Sequence, residues 1–233
     1  MTAIYKRELK SYFSTPIGYI VVSAFFFFLG LFFWVFYSQG VPQIAYVLTQ
    51  LSTISIFTIP LLTMRLMSED RRQKVDQALL TAPVSLSGIV FGKFFAALTV
   101  YAIGFIPTIA FEAIIMSYVS VNITEYLYAL LGMILLGGVL ISIGMFISSL
   151  TESSVISGIL TLVINILLVY MSSFSSMVKQ EWLVTIIDKM SIMTAFENFS
   201  SNIFSIANIV YFVSIIAIFI FLSVRSLEKR RWA

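Results

Sequence analysis

An early run of the chain, residues 11–64, contains no charged side chain. A helix needs about 20 apolar residues to cross about 30 Å of hydrocarbon, so this run is too long for one membrane span. A turn-like cluster at residues 38–43, Ser-Gln-Gly-Val-Pro-Gln, divides it into two. Because 60% of the residues are hydrophobic and only 11% are charged, no water-soluble globule of this size could cover its apolar surface. The sequence therefore predicts a membrane protein and excludes a soluble enzyme.

Further uncharged runs follow, and they are continuously apolar, without the alternation that the strands of a membrane barrel show. We therefore predict an all-α polytopic membrane protein with one transmembrane domain over residues 1–233 and six spans. The spans are predicted at about residues 17–37, 43–64, 90–116, 127–149, 154–173 and 206–225.

The basic residues fall almost entirely on one side of the predicted bundle. Of the 14 Lys and Arg residues, only Lys179 and Lys189 lie on the other side. Because cytoplasmic segments carry the excess of Lys and Arg, we predict a protein of the cell membrane with both termini cytoplasmic. Such a topology requires an even number of spans, and the count of six satisfies it.

Three segments outside the spans carry their own patterns. Residues 1–15 place apolar side chains on one helical face and Lys6, Arg7 and Lys10 on the other, which favours an interfacial helix over a shapeless basic anchor. The cytoplasmic loop 65–88 is dense in charges of both signs. It is either a solvated loop or a docking surface for a soluble partner, and the sequence leaves both open. In the external segment, residues 174–205, apolar residues recur every three or four positions, which predicts short interfacial or re-entrant helices.

The usual catalytic side chains are missing. The chain contains no His and no Cys, which removes the commonest general base and the commonest metal ligands. No G-x-x-x-x-G-K-[ST] stretch occurs, so the chain does not bind ATP through such a phosphate loop. We therefore expect no catalytic residue, no metal site and no cofactor in this chain, and no enzymatic activity of its own.

Two polar side chains in the spans could line a pathway or serve packing. Glu112 follows Lys93 by 19 residues, or about 28 Å of helix, so we predict an external-rim position rather than a proton site in mid-membrane. Asn165 lies near the middle of the fifth span, where an interhelical hydrogen bond is the simpler interpretation and a pathway-lining group the other.

Breaks and close contacts are predicted within the spans. Pro60 and Pro107 should kink or loosen the second and third spans. Gly144 and Ser148 are spaced for close helix packing in the fourth.

Two stretches resemble a known family. Residues 6–19, Lys-Arg-Glu-Leu-Lys-Ser-Tyr-Phe-Ser-Thr-Pro-Ile-Gly-Tyr, are similar to the elbow helix and first-span entry of ABC-2 type ATP-binding-cassette transporter permeases. Residues 69–85, Glu-Asp-Arg-Arg-Gln-Lys-Val-Asp-Gln-Ala-Leu-Leu-Thr-Ala-Pro-Val-Ser, resemble the family's signature after span two. The resemblance is to the gliding-motility and nitrous-oxide-reductase-maturation branch. Lys74 and Val75 stand where Gly-Thr is usual, and Gln77 where Glu is usual.

The resemblance implies a permease subunit, usually of an exporter. Two permease subunits, identical or different, would pair, and two separate ATPase subunits that hold ATP and Mg would dock below. The loop 65–83 and the elbow helix would receive the nucleotide-driven motion, and the external segment would gate the far side. The resemblance assigns ATPase coupling to Glu69, Asp70, Arg71, Arg72, Lys74, Asp76 and Gln77. It assigns Lys6, Arg7 and Lys10 to the elbow helix.

Two other classes of function remain open on the sequence. A stand-alone channel or secondary transporter would normally show buried ionisable residues or broken half-helices. A non-transporting membrane protein, such as an immunity factor or assembly scaffold, is compatible with the missing catalytic groups.

Overall fold

The computed structural model describes residues 1–40, 43–74, 85–118, 122–171, 191–200 and 205–231. Within these ranges all regular structure is helical. The main helices, in chain order, are α1 Thr2–Ser14, α2 Pro16–Ser38, α3 Ile44–Thr63, α4 Ser68–Arg72, α5 Leu86–Ile103, α6 Ile106–Tyr118, α7 Ile123–Leu150, α8 Ser154–Val169, α9 Ile192–Ser200 and α10 Ile206–Arg231.

Among the described residues, five helical segments are long and apolar enough to cross a membrane. They are Pro16–Ser38, Ile44–Arg72, Leu86–Tyr118, Ile123–Leu150 and Ile206–Arg230. The helix α8 is apolar but has only 16 residues. The protein is therefore a multi-pass helical membrane protein, whereas a sixth span at α8 stays a prediction.

Local sequence signals explain where several helices begin. Pro16 lies in the first turn of α2, where its fixed φ suits the helix and its missing N–H costs nothing. The side chains of Ser85, Asn122 and Ser153 accept hydrogen bonds from backbone N–H groups in the first turns of α5, α7 and α8. Such caps satisfy N–H groups that have no partner within the helix.

The third predicted span, 90–116, is not one continuous helix. The chain turns at Gly104 and Phe105, between α5 and α6, and Pro107 lies in the first turn of α6. Pro107 has no N–H to donate to the preceding turn, which is why the break falls here. In contrast, Pro60 lies inside α3, and that helix continues to Thr63.

The helix α7 forms the centre of the bundle. It contacts α3, α5, α8, α9 and α10, and 72% of its most apolar window is buried. The corresponding windows of α2 and α10 are only 17% buried, so these helices present most of their apolar side chains outward. Small residues permit the close approach of α7 to its neighbours, because a β-carbon on Gly144 would lie 2.3 Å from the Thr63 hydroxyl oxygen.

Both ends of the chain lie at the same end of the bundle. Near the C-terminus, the Arg230 guanidinium donates to the carbonyl of Ser149, at the end of α7. At the same corner, Arg71 of α4 donates to the Leu150 carbonyl, at 3.3 Å. The N-terminal helix α1 packs along α5, whose first turns follow α4 in the chain. We call this end of the bundle the terminal end. The helix α9 packs against the half of α7 that lies farther from it, beside Gly132.

Candidate functional site

A buried lysine lies at the terminal end of the bundle, where α1, α4 and α5 meet. Lys93 of α5 is only 1% exposed. Its ammonium group contacts the Asp70 carboxylate at 2.7 Å and the Glu8 carboxylate at 3.1 Å. It also donates to the carbonyl of Leu66 at 2.6 Å. One side chain therefore holds together three segments that lie far apart in the sequence.

A second cation, Arg7, lies beside the same two carboxylates. The Arg7 guanidinium lies 2.5 Å from the Glu8 carboxylate and 3.6 Å from that of Asp70. Two cations thus face two carboxylates, and the charge is balanced. We call Arg7, Glu8, Asp70 and Lys93 the charged cluster. A buried ion pair is stable only when its charges are matched and hydrogen-bonded, and this cluster meets both conditions.

Helical spacing in α1 brings Glu8 to the cluster. Ile4, Glu8 and Tyr12 follow one another at intervals of four residues, so they share one face of the helix. Ile4 and Tyr12 are buried, and the Tyr12 hydroxyl donates to the Leu62 carbonyl of α3 at 2.7 Å. This face docks α1 against the bundle and leaves Lys6 and Lys10 exposed to solvent.

The contacts in the cluster shift the proton affinities of Glu8 and Arg7. Burial alone would raise the pKa of the Glu8 carboxyl, but the neighbouring Lys93 and Arg7 outweigh it and lower that pKa below its usual value. Burial alone would lower the pKa of Arg7, but the hydrogen bond to Glu8 and the charges of Glu8 and Asp70 raise it. Glu8 and Arg7 therefore carry their charges at neutral pH.

The short helix α4 has an outward face and an inward face. Asp70 points inward to the cluster. Arg71 lies against the corner between α7 and α8, with its guanidinium 2.8 Å from the Glu152 carboxylate. Glu69 contacts Arg65 at 3.7 Å and Arg72 at 3.8 Å. The Arg72 side chain is 65% exposed, so it is available to a partner.

Hydroxyl groups fix α4 to the bundle from the other side. The Ser148 hydroxyl oxygen of α7 accepts from the backbone N–H groups of Met67 and Ser68, each at 3.1 Å. The Ser68 hydroxyl shares a further hydrogen bond of 3.1 Å with the Ser154 hydroxyl. The first N–H groups of a helix need such acceptors, and Ser148 supplies one from a neighbouring helix.

An open cleft adjoins the charged cluster. Its volume is about 310 Å³, and it lies between α1, the start of α2, the end of α3 and α4. Arg65, Glu69 and Gln73 line it together with the exposed edges of Arg7 and Glu8. A partner that docks at the terminal end would thus meet polar side chains directly above the cluster.

The backbone at Lys74 has a conformation that bears on one departure from the family signature. Lys74 has a φ of 57°, in the left-handed region that favours glycine. The resemblance places a glycine of the usual Gly-Thr pair at this position. The turn that ends α4 therefore has the backbone that the family's glycine would suit, although this chain carries lysine there.

The predicted coupling residues separate into distinct groups. Asp70 and Arg71 are tied to the bundle, whereas Glu69, Arg72 and Lys74 lie on the outer side of the loop. Asp76 and Gln77 lie outside the described residues. Of the three predicted elbow residues, only Arg7 enters the cluster.

The two polar residues predicted for the spans are both buried. The amide atoms of Asn165 on α8 have no hydrogen-bond partner among the described residues. Neither do the carboxylate oxygens of Glu112 on α6. The structure therefore brings neither of them to the charged cluster, and whether they line a pathway stays a prediction.

Sequence reasoning missed the two central members of the cluster as site residues. Glu8 gave a signal, because it lies between two apolar residues of the same face of α1. Lys93 gave another, because it is the only charged residue in an otherwise apolar helix and needs carboxylate partners there. The pairing itself depends on three distant segments and cannot be deduced from spacing.

Among the described residues, no group of three or more Asp and Glu side chains could hold a metal ion. The fold and the charged cluster define a class of protein. It is a multi-pass helical membrane protein with both chain termini at one end of the bundle, and that end carries the charged cluster. The chain belongs to the ABC-2 type transporter family, because the family model with that description matches residues 1–204. This family forms the non-catalytic membrane permease of ABC transporters. A comparison with curated proteins gave no match.

Proposed function

We propose that this chain is the permease subunit of an exporter and that a separate ATPase drives it from the terminal end of the bundle. The observation that carries the proposal is the buried contact of Lys93 with both Glu8 and Asp70. A force applied to α4 from outside would reach α1 and α5 through this contact. Such a contact between surface helices and a long apolar helix suits the transfer of motion into the membrane.

The outer face of α4 supports the docking part of the proposal. Arg72 is exposed and Glu69 is partly exposed, and the polar cleft lies beside them. Complementary charges on an ATPase would set the docking register, because exposed charges govern orientation and association rate more than affinity. The Ser148 and Arg71 contacts hold this face in place before a partner arrives.

The remaining parts of the proposal follow the family resemblance. Two permease subunits, identical or different, pair in the cell membrane, and both termini of each lie in the cytoplasm. ATP and Mg are bound by the partner ATPases. The excess of basic residues at the terminal end supports this orientation. Membership of the gliding-motility and nitrous-oxide-reductase-maturation branch is also a proposal, supported by residues 69–85.

Co-purification tests the docking. The chain is expressed from its native operon, extracted gently, and assayed for a bound ATPase that hydrolyses ATP. We expect the wild type to carry one and Arg72→Glu to lose most of it, because the substitution reverses a charge on the outer face of α4.

The matched control is Lys229→Glu, which makes the same charge change on an exposed residue of α10 at the same end of the bundle. It should leave the ATPase bound. If the wild type purifies alone under every gentle condition, or if both variants behave alike, docking on α4 is wrong.

A further inference from the structure

The carboxyl group of Glu112 lies in surroundings that do not suit a charged group. The residue is only 3% exposed, and both of its carboxylate oxygens lack a hydrogen-bond partner among the described residues. It shares the buried face of α6 with Thr108 and Ile115. Buried polar groups in proteins are nearly always hydrogen-bonded, so an exception of this kind needs a physical explanation.

The helices around Glu112 offer no positive charge. α6 packs against α2 and α3, and neither of those helices contains a charged residue. Their tyrosines nearest this end are Tyr37 and Tyr46. The helix α7 contributes Tyr126 and Glu125. A negative charge on Glu125 would repel a second negative charge on Glu112. The described surroundings of Glu112 therefore oppose its ionised form.

An ionised carboxylate in such a site would be costly. The effective penalty for burying an unpaired charge is several kcal/mol, and a buried acid usually avoids it by keeping its proton. The two carboxylate oxygens are also too few to replace the ligand shell of a metal cation. A proton bound to the carboxylate removes its charge and requires no further protein group.

We propose that Glu112 is a proton-binding site at the end of the bundle opposite the charged cluster, and that it carries a proton in the conformation described here. The proton comes from water at that end and returns there, so the group alternates between the carboxylic acid and the carboxylate. Any motion that hydrates α6 would favour the carboxylate and release the proton.

A pair of buried hydroxyl groups lies one helical turn from Glu112. Thr108 lies one turn before Glu112 on the same face of α6, and its hydroxyl shares a 2.9 Å hydrogen bond with that of Tyr126. Tyr126 directly follows Glu125, which is half-buried at the start of α7. The break between α5 and α6 lies next to Thr108, so movement there would change access to the site.

Infrared spectroscopy tests the proposal on the purified permease in lipid nanodiscs, without any ATPase. We expect the wild type at pH 7 to show the carbonyl band of a protonated carboxylic acid. Glu112→Gln should lose this band, and the matched control Glu125→Gln should keep it. A wild type without the band, or a band that survives in Glu112→Gln, would overturn the proposal.

Thermal unfolding of the same samples from pH 5.5 to 9.5 gives an independent outcome. The wild type should lose stability as the pH rises and Glu112 becomes ionised, whereas Glu112→Gln should lose less over this range. If Glu112→Gln is instead much less stable at every pH, the carboxylate is paired with a cation and the proposal is wrong.

If that variant does not fold, chemical labelling of the wild type replaces it. Wild-type Glu112 is treated with a hydrophobic carbodiimide at pH 7, and the labelled residue is located by mass spectrometry. Such reagents attack protonated buried carboxyl groups, and failure to label Glu112 counts against the proposal.

Discussion

Lys93 is the side chain on which the terminal end of the bundle depends most. Its removal would leave the Glu8 and Asp70 carboxylates close together with Arg7 as their only cation within the cluster. Breaking a buried ion pair by removing one partner typically destabilises a protein by about 3–5 kcal/mol. We expect Lys93→Ala to cause a loss of this order, measured by thermal unfolding in detergent or nanodiscs.

The control for this prediction removes two opposite charges together. A double variant, Lys93→Met with Asp70→Asn, leaves the Arg7–Glu8 ion pair as the only charges of the cluster and should recover most of the lost stability. If it is no more stable than Lys93→Ala, the packing of the lysine matters and its charge does not.

The lowered pKa of Glu8 predicts acid sensitivity. A carboxylate whose pKa is lower in the folded protein stabilises the fold above its unfolded pKa, which is about 4.3 for Glu, and loses that contribution as the pH falls through the lowered value. We therefore expect stability to decline below about pH 4. Glu8→Gln should show a shallower decline in the same acid titration, and an unchanged slope would contradict the assignment.

The left-handed backbone at Lys74 predicts a stabilising substitution. A residue with a β-carbon in this conformation costs about 1–2 kcal/mol, and glycine avoids the clash. Glycine also loses more entropy on folding, by up to about 1 kcal/mol, so the net gain is smaller than the strain relieved. We expect Lys74→Gly to raise the unfolding temperature slightly, whereas Lys74→Val should lower it. A fall with glycine would show that the turn adopts another conformation.

Among the helices, α7 has the least tolerance for added volume. A β-carbon on Gly144 would lie 2.3 Å from the Thr63 hydroxyl oxygen and 2.8 Å from the Thr161 methyl carbon. Overpacking of this kind typically costs about 1–3 kcal/mol. Gly144→Ala should therefore lower the unfolding temperature and loosen the contacts of α7 with α3 and α8.

Gly30 on α2 is the matched control, because no atom lies within 4 Å of the place its β-carbon would occupy. Gly30→Ala should be neutral or slightly stabilising, since alanine is the better helix former by about 1 kcal/mol. Equal losses from both substitutions would contradict the account, because close packing distinguishes the two sites and helix propensity favours alanine at both.

The sequence predicts the long elements better than the contacts between them. Uncharged runs locate the apolar helices, because burial in a membrane is a property of one segment at a time. The break at Gly104 was only partly foreseen, since Pro107 indicated a kink but not its position. The cluster at Lys93 was not foreseen, because three segments must assemble before its charges can pair.

The whole molecule combines an apolar bundle with one charged end. The family match supports a permease, and the cluster links the helices at that end to α5. If the proposed function holds, a partner ATPase binds at that end of the bundle and not at the other. The other end, with Glu112, should respond to pH without any ATPase present, so the two proposals can fail separately.

Hydrogen exchange of the chain alone and of its complex with the ATPase is the most direct measurement of where the partner binds. The account predicts slower exchange on complex formation in residues 65–74 and in α1, with no change in α9 at the other end of the bundle. Protection confined to α9, or no difference anywhere in a complex that hydrolyses ATP, would contradict it.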